Sequence, residues 1–347
     1  MVKMAGCDLK KGKLVEEHVS TDEYWSLFNY VFSDNCAKTN TYKFGFLKSI
    51  LDSIFDGKIN AEGMFLSYEH LFARFTENYW NLVVKYNLKQ MRNNGHSDYS
   101  KIELILKSEA DQNPILRTVE FESINDDLKQ KIIKEVTRAC KRFVIGALYS
   151  DFQGKLYSFN LKDKGLTVSK YAVEFMMKYK VEIERLNYYS WAKFLEKINN
   201  ASVLTGLIDK IELATPRRNN FSIYRQILSK EFEENTCFYC GRKLAPSSHV
   251  DHFIPWSFVK DDKLWNFVLA CPQCNEKKSN HLPDYQLINI IDQRNHRIES
   301  SIFMIQDPIE REVIINDFSN YNDSLISKLW EYARIGGYIP AIDSIMH

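Results

Sequence analysis

Apolar residues at alternating three- and four-residue steps organise most of the first two hundred positions. Phe65, Tyr68, Phe72, Phe75, Tyr79, Leu82 and Tyr86 fall on one stripe, which predicts a long helix from Phe65 to Met91, stopped near Asn93-Asn94-Gly95. Leu128, Ile132, Val136, Cys140 and Val144 form a second stripe, with Lys131, Lys134, Arg138, Lys141 and Arg142 largely off it. Thr21 to Phe32, with Thr21 as its cap, and Thr41 to Phe55, ended by Asp56-Gly57, also read as helices. Lys155 to Asn160 alternates like a short strand, whereas Val168, Tyr171, Phe175 and Met176 return to helical spacing from Thr167 onward. Tyr188 to Ile198 continues that pattern to breaks at Asn199-Asn200 and Thr215-Pro216. Phe221 to Phe232, Tyr285 to Ile298 and Asp323 to Ile335 complete the predicted helices.

Between Cys237 and Pro283 the pattern changes. His249 to Ile254 reads as a short strand ended by Pro255, which cannot donate to a ladder. Trp256 to Trp265 reads as a loop charged at Lys260, Asp261, Asp262 and Lys263, and Phe267-Val268-Leu269-Ala270 as a second strand. Asn275 is expected at a helix N-cap, with Lys277 and Lys278 in the turns that follow. The product is a ββα element in a chain that is otherwise mainly α, so the fold class is mainly α (α+β).

Cysteines bracket this element. Cys237 and Cys240 form one two-residue-gap knuckle, and Cys271 and Cys274 a second, the spacing by which four thiolates hold one tetrahedral zinc. The 30 residues between Cys240 and Cys271 exceed the usual zinc-ribbon gap, so a folded excursion must fit inside the loop the metal closes. A redox role would expect a lone pair near a βαβ unit, and none precedes Cys237. Cys7, Cys36 and Cys140 lack ligand spacing and read as small buried or surface thiols.

The quoted residues resemble the HNH, or ββα-metal, nuclease family over roughly Cys237 to Pro283. Val250-Asp251-His252-Phe253-Ile254-Pro255, Asn266 to Cys271, and Cys274-Asn275 followed by Lys278 occur in register. The HNH domains of CRISPR effector nucleases look similar, although they usually lack zinc knuckles. The resemblance does not extend to residues 1–236. It implies phosphodiester hydrolysis with one divalent cation and His252 as general base, for which an unperturbed pKa near 6.5 leaves usable neutral imidazole at pH 7. Asp251 and Asn275 offer hard oxygens suited to Mg²⁺ or Mn²⁺. Asn266, the middle residue of the motif, pins the loop and orients the base in the family. Many family members carry histidine where this chain has Asn275, with His281 further on; an amide oxygen disfavours zinc at that position. His249 shares a strand face with Asp251 by period two and is a further candidate for metal or phosphate, as is Lys278 for phosphate. Asp251 and His252, being adjacent, require a twisted or bulged strand if both are to reach one site.

The formal charge of +1 over 347 residues does not by itself announce a polyanion binder. Asp209 to Lys230 is locally basic, with Lys210, Arg217, Arg218, Arg225 and Lys230 against Asp209 and Glu212; Arg217 and Arg218 are candidate nucleic-acid contacts. Aromatics make up 14% of the chain, more than base stacking would use, so most belong to a core. No apolar leader or membrane span is evident, which points to a cytoplasmic protein. The expected organisation is a mainly helical recognition or regulatory region over 1–205, with two subdomains as an option and a break near 110. A connecting arm follows over 206–236, then a nuclease domain over 237–284 and packing helices over 285–347.

The reading that follows is a metal-dependent DNA endonuclease, RNA remaining open, of a prokaryotic restriction or phage-defence kind. Its competitors are a zinc module that binds nucleic acid without cutting and a nuclease active only beside a companion defence protein. The oligomeric state leaves no trace in the sequence.

Overall fold

The computed structural model describes residues 8–15, 18–60, 62–93, 95, 97–212, 221–231, 235–245 and 248–341. The chain divides into two compact units, one of residues 1–176 with 180–217, the other of residues 177–179 with 218–347. Fourteen α-helices and small sheets among the described residues give the mainly helical architecture expected.

The larger unit contains helices α1 (Thr21–Phe32), α2 (Tyr42–Asp52), α3 (Tyr68–Trp80), α4 (Lys101–Gln112), α5 (Asp126–Asp151), most of α6 (Lys170–Lys178), α7 (Lys180–Glu196) and α8 (Leu207–Glu212). Its centre is α2, every residue of which is buried. Two lysines survive there because each has a carboxylate: Lys48 Nζ lies 2.7 Å from Asp52 and Lys43 Nζ 2.7 Å from Asp151. Leaving either charge without its partner in so dry a place would cost several kcal/mol, about 3–5 by analogy with broken buried pairs. The stripe on α5 is buried as expected at Ile132, Val136, Cys140 and Val144. Cys36 and Cys140 are buried thiols, and Cys7 lies outside the described residues.

The strand expected at Lys155 to Asn160 is there, as part of a five-stranded antiparallel sheet whose other strands the mainly helical reading of this region did not anticipate. Strands β1 (Lys11–Gly12), β2 (Lys58–Ile59), β3 (Gly63–Ser67), β4 (Tyr157–Asn160) and β5 (Gly165–Ser169) run in the order β1-β4-β5-β3-β2. Phe65, expected to begin the long helix, instead sits on β3 opposite Thr167. Val168, expected in a helix, pairs with Met64 on one side and Tyr157 on the other. The long helix itself ends at Trp80 and passes into a π-helical turn, Asn81–Lys85. Ser20 rather than Thr21 caps α1, accepting the Glu23 N–H at 3.2 Å.

The second unit contains α9 (Ser222–Glu231), β6 (His249–His252), α10 (Trp256–Val259), β7 (Phe267–Ala270), α11 (Pro272–Lys278), α12 (Leu287–Ser301), α13 (Pro308–Phe318) and α14 (Leu325–Ile335). β6 and β7 pair antiparallel from His249↔Ala270 to His252↔Phe267, and α11 returns against β6. The segment expected to be a plain loop folds into α10, a left-handed Lys260 and a short 3₁₀ turn, Leu264–Asn266. Later helices brace it: Asp317 on α13 accepts the Leu264 N–H at 2.7 Å, and Asn295 on α12 donates to the Trp265 carbonyl at 3.0 Å. Trp330 on α14 donates to the Pro283 carbonyl at 2.9 Å. Among the described residues no helix is long and apolar enough to cross a membrane.

Gly63 marks where β3 and β5 approach most tightly. Its φ is +153°, and a Cβ there would lie 1.9 Å from the Val168 carbonyl oxygen. Gly63→Ala is expected to destabilise the larger unit by about 1–3 kcal/mol. The measurement is a fall in the urea midpoint at unchanged slope; an unaltered midpoint would contradict the close approach.

Candidate active site

The first knuckle is a tight turn in which Gly241, at φ +68°, lets its N–H reach the Cys237 carbonyl at 2.9 Å while Cys237 N–H bonds Arg242. The second knuckle opens α11, with Cys271 as N-cap and Pro272 in the first turn. The four Sγ atoms lie within 4.8 Å of one another. Cys240 Sγ stands 3.9 Å from Cys271 Sγ, close to the ~3.8 Å separation that tetrahedral zinc–sulfur bonds of ~2.3 Å impose. Cys271 N–H donates to Cys237 Sγ at 3.3 Å, as befits a thiolate. These residues fit a structural zinc.

The clamp is wired to the hairpin. Phe238 N–H bonds the Leu269 carbonyl of β7 at 2.9 Å. Its neighbour Tyr239 is buried and donates its hydroxyl to Asp251 Oδ2 at 2.7 Å. Burial, reinforced by the charge of Asp251, pushes the Tyr239 phenol well above its usual range, so it remains a donor at any ordinary pH. Lys278, only 1% exposed, places Nζ 3.3 Å from the same Asp251 oxygen. Both contacts fall on Oδ2.

A cleft of about 550 Å³ lies over this wall. His249, Asp251 and His252 line it from β6, Asn275 and Lys278 from α11, and Arg225 and Phe221 from the α9 side. Asp251 and His252 reach it from a strand whose register with β7 is one-to-one, so the expected bulge is not there. Asn275 is not an N-cap. Helix α11 begins at Pro272 with Cys271 as its N-cap, so Asn275 is its fourth residue, its Nδ2 2.9 Å from His249 Nδ1. The Asn275 amide thus meets His249 through its nitrogen.

His252 is 4% exposed, with Nε2 2.9 Å from Asp262 Oδ1 and its ring 4.6 Å from that of Phe267. It is thus packed into the cleft wall, where the sequence led to no expectation of a partner. Asn266 does not line the cleft. Fully buried, it accepts the Ile254 N–H at 2.8 Å and donates to the Ile254 carbonyl at 2.9 Å, clasping the chain just past His252. Lys278 is a buried counter-ion of Asp251 rather than a solvated lysine. Arg217 and Arg218 lie outside the described residues. Arg225, counted in the sequence only as one charge among several, bonds Ser248 Oγ at 2.9 Å and faces the cleft. Tyr239 and Asp262 were missed altogether. Tyr239's place inside a cysteine knuckle and Asp262's place in a charged run gave no hint of what each would touch.

Residues 237–284 match the family model for HNH endonuclease. No curated protein and no solved structure matches the chain. The matched segment is an HNH module with a four-cysteine metal site near the C-terminal end of the chain, and such a module supports nuclease activity.

Two outcomes check this construction. Cys274→Ser should release the bound metal, read as the loss of one zinc equivalent per chain in elemental analysis. Asn266→Ala leaves two backbone groups of Ile254 unsatisfied in a dry site and should cost about 2 kcal/mol or more, read in denaturant unfolding at full zinc occupancy.

Proposed function

We propose that this protein is a metal-dependent endonuclease that hydrolyses phosphodiester bonds in DNA, with His252 as general base and Asp251 and Asn275 as ligands of Mg²⁺ or Mn²⁺. The observation that carries the reading is the convergence of these three side chains on one cleft inside the segment that matches the HNH family. The cation, when bound, supplies neutralisation of charge on the phosphate and the leaving oxygen. His252 takes a proton from the attacking water. Asp251, paired with Lys278 and accepting the Tyr239 hydroxyl, presents a fixed oxygen. Arg225 and His249 line the cleft, where a neighbouring phosphate would meet them.

The four-cysteine site holds zinc in a structural role. The large first unit serves recognition or control, and the combination of one HNH module with such a unit suits a prokaryotic restriction or phage-defence nuclease acting in the cytoplasm, by analogy of architecture. Reading the module as a binder that does not cut leaves the joint presence of Asp251, His252 and Asn275 in one cleft without a purpose. Dependence on a companion protein would leave the cleft as described and silence the isolated chain.

A plasmid-nicking assay with Mg²⁺ or Mn²⁺ tests the reading. Wild type should convert supercoiled DNA, and His252→Ala should lower the rate by about 10²–10⁴ while DNA still shifts on a gel. Cleavage of equal rate by both proteins, or a shift without cleavage even after addition of proteins encoded by neighbouring genes, would defeat it.

A further inference from the structure

One buried carboxylate has no part in the chemistry above. Asp262 lies in the turn between α10 and β7, and its Oδ1 is 2.9 Å from His252 Nε2, the two side chains being 3% and 5% exposed. We propose that Asp262 is the positioning residue of the nuclease site. It accepts the Nε2–H of His252, fixes the tautomer in which Nδ1 carries the lone pair, and holds the ring so that Nδ1 serves the cleft. This rests on the reading of His252 as the base.

Three observations give the arrangement its force. A neutral imidazole has one donor and one acceptor nitrogen, and the partner of one decides the role of the other. A carboxylate at Nε2 can only accept, so the proton resides on Nε2 and the acceptor is Nδ1. Phe267 and Phe221 meet the ring edge-on, at 4.6 and 5.9 Å between centroids, and restrict its rotation. Asp262 is itself held: its carbonyl accepts the Tyr224 hydroxyl at 3.2 Å, its N–H bonds Asp261 Oδ1 at 2.9 Å, and two residues on, Leu264 N–H is anchored to Asp317. In the step this serves, a water proton passes to Nδ1, the water oxygen bonds phosphorus, and the phosphorus–oxygen bond to the leaving group breaks, its oxygen taking a proton from solvent. Nε2–H stays in place, now on an imidazolium facing the Asp262 carboxylate.

The alternative is a buried His–Asp pair that serves folding alone. The full-length zinc-loaded chain is compared as wild type, Asp262→Asn, His252→Ala and the double variant, in plasmid nicking with Mn²⁺. Asp262→Asn should lower kcat on the order of tenfold or more with KM within twofold, whereas adding it to His252→Ala should change the residual rate less than twofold. An equal loss in both backgrounds, or none in the wild-type background, overturns the proposal and leaves the base intact. Undiminished cleavage by His252→Ala overturns the base reading and this one with it. A readout independent of cleavage is the two-bond ¹H–¹⁵N spectrum of histidine-labelled protein, with His252 assigned by its loss in His252→Ala. Wild type should show the Nε2–H tautomer and Asp262→Ala a shift away from it; an identical His252 pattern in both refutes the proposal.

Discussion

The thiolate clamp is the constraint on which the nuclease module depends. A ββα unit of this size buries little apolar surface of its own, and two short strands with one short helix would not hold together in water. Closing the 30-residue excursion with one metal supplies what is missing, since structural zinc sites contribute about 10–16 kcal/mol in comparable peptides. The clamp also sets geometry. Cys271 directly follows Ala270, the last residue of β7, and is the N-cap of α11, so a metal held there sets the angle at which the helix leaves the hairpin. Asn275 and Lys278 inherit their places over β6 from that angle. From the other knuckle, Tyr239 reaches Asp251 directly.

A second frame holds the far wall. The turn from Lys260 to Asn266 carries no zinc ligand, yet it delivers Asp262 to His252 and Asn266 to Ile254. Its stiffness comes from outside the matched segment: Tyr224 on α9, Asn295 on α12 and Asp317 on α13 each bond its backbone. These bonds are buried, where an unmade partner costs about 1–3 kcal/mol and a made one excludes alternative loop conformations. Helices 285 onward are therefore part of the site's support, although none supplies a group to the cleft. The candidate base and the candidate cation ligands are held by different frames, the braced turn and the clamp, and meet only because Asp251 and His252 are adjacent on β6.

How much of this was legible in the sequence follows from the range over which each interaction acts. Cysteine knuckles, the Asp251-His252 pair and Asn275 are marked by residue type at short spacing; the four thiols do cluster, and the cleft gathers the other three. Of the sheet in the larger unit only β4 was legible, by its alternation; β3 was not, because it pairs with a strand about a hundred positions away and its apolar residues merge with the stripe of α3. Phe65 fits the helical period and yet lies on a strand; a long-range partner overrode a local pattern. The start of α11 was misplaced for a related reason. Asn275 is a good N-cap by type, but Cys271, held by the clamp, with Pro272 after it, had already begun the helix. Partners such as Tyr239 and Asp262 were invisible because a hydrogen bond between side chains 12 or 10 residues apart leaves no periodic signature.

Charge behaves similarly, and it changes how the cleft should meet a polyanion. A formal net charge of +1 describes a molecule with no overall pull on DNA. Within the cleft the balance is local: Lys278 neutralises Asp251 from a position almost without solvent, and Arg225 stands on the opposite side. The screening that weakens surface charges acts less on a buried pair, so the Lys278 field persists at salt concentrations that would mask a lysine-rich helix face. A nuclease built this way gains little from long-range steering and relies on contacts made once the strand is seated.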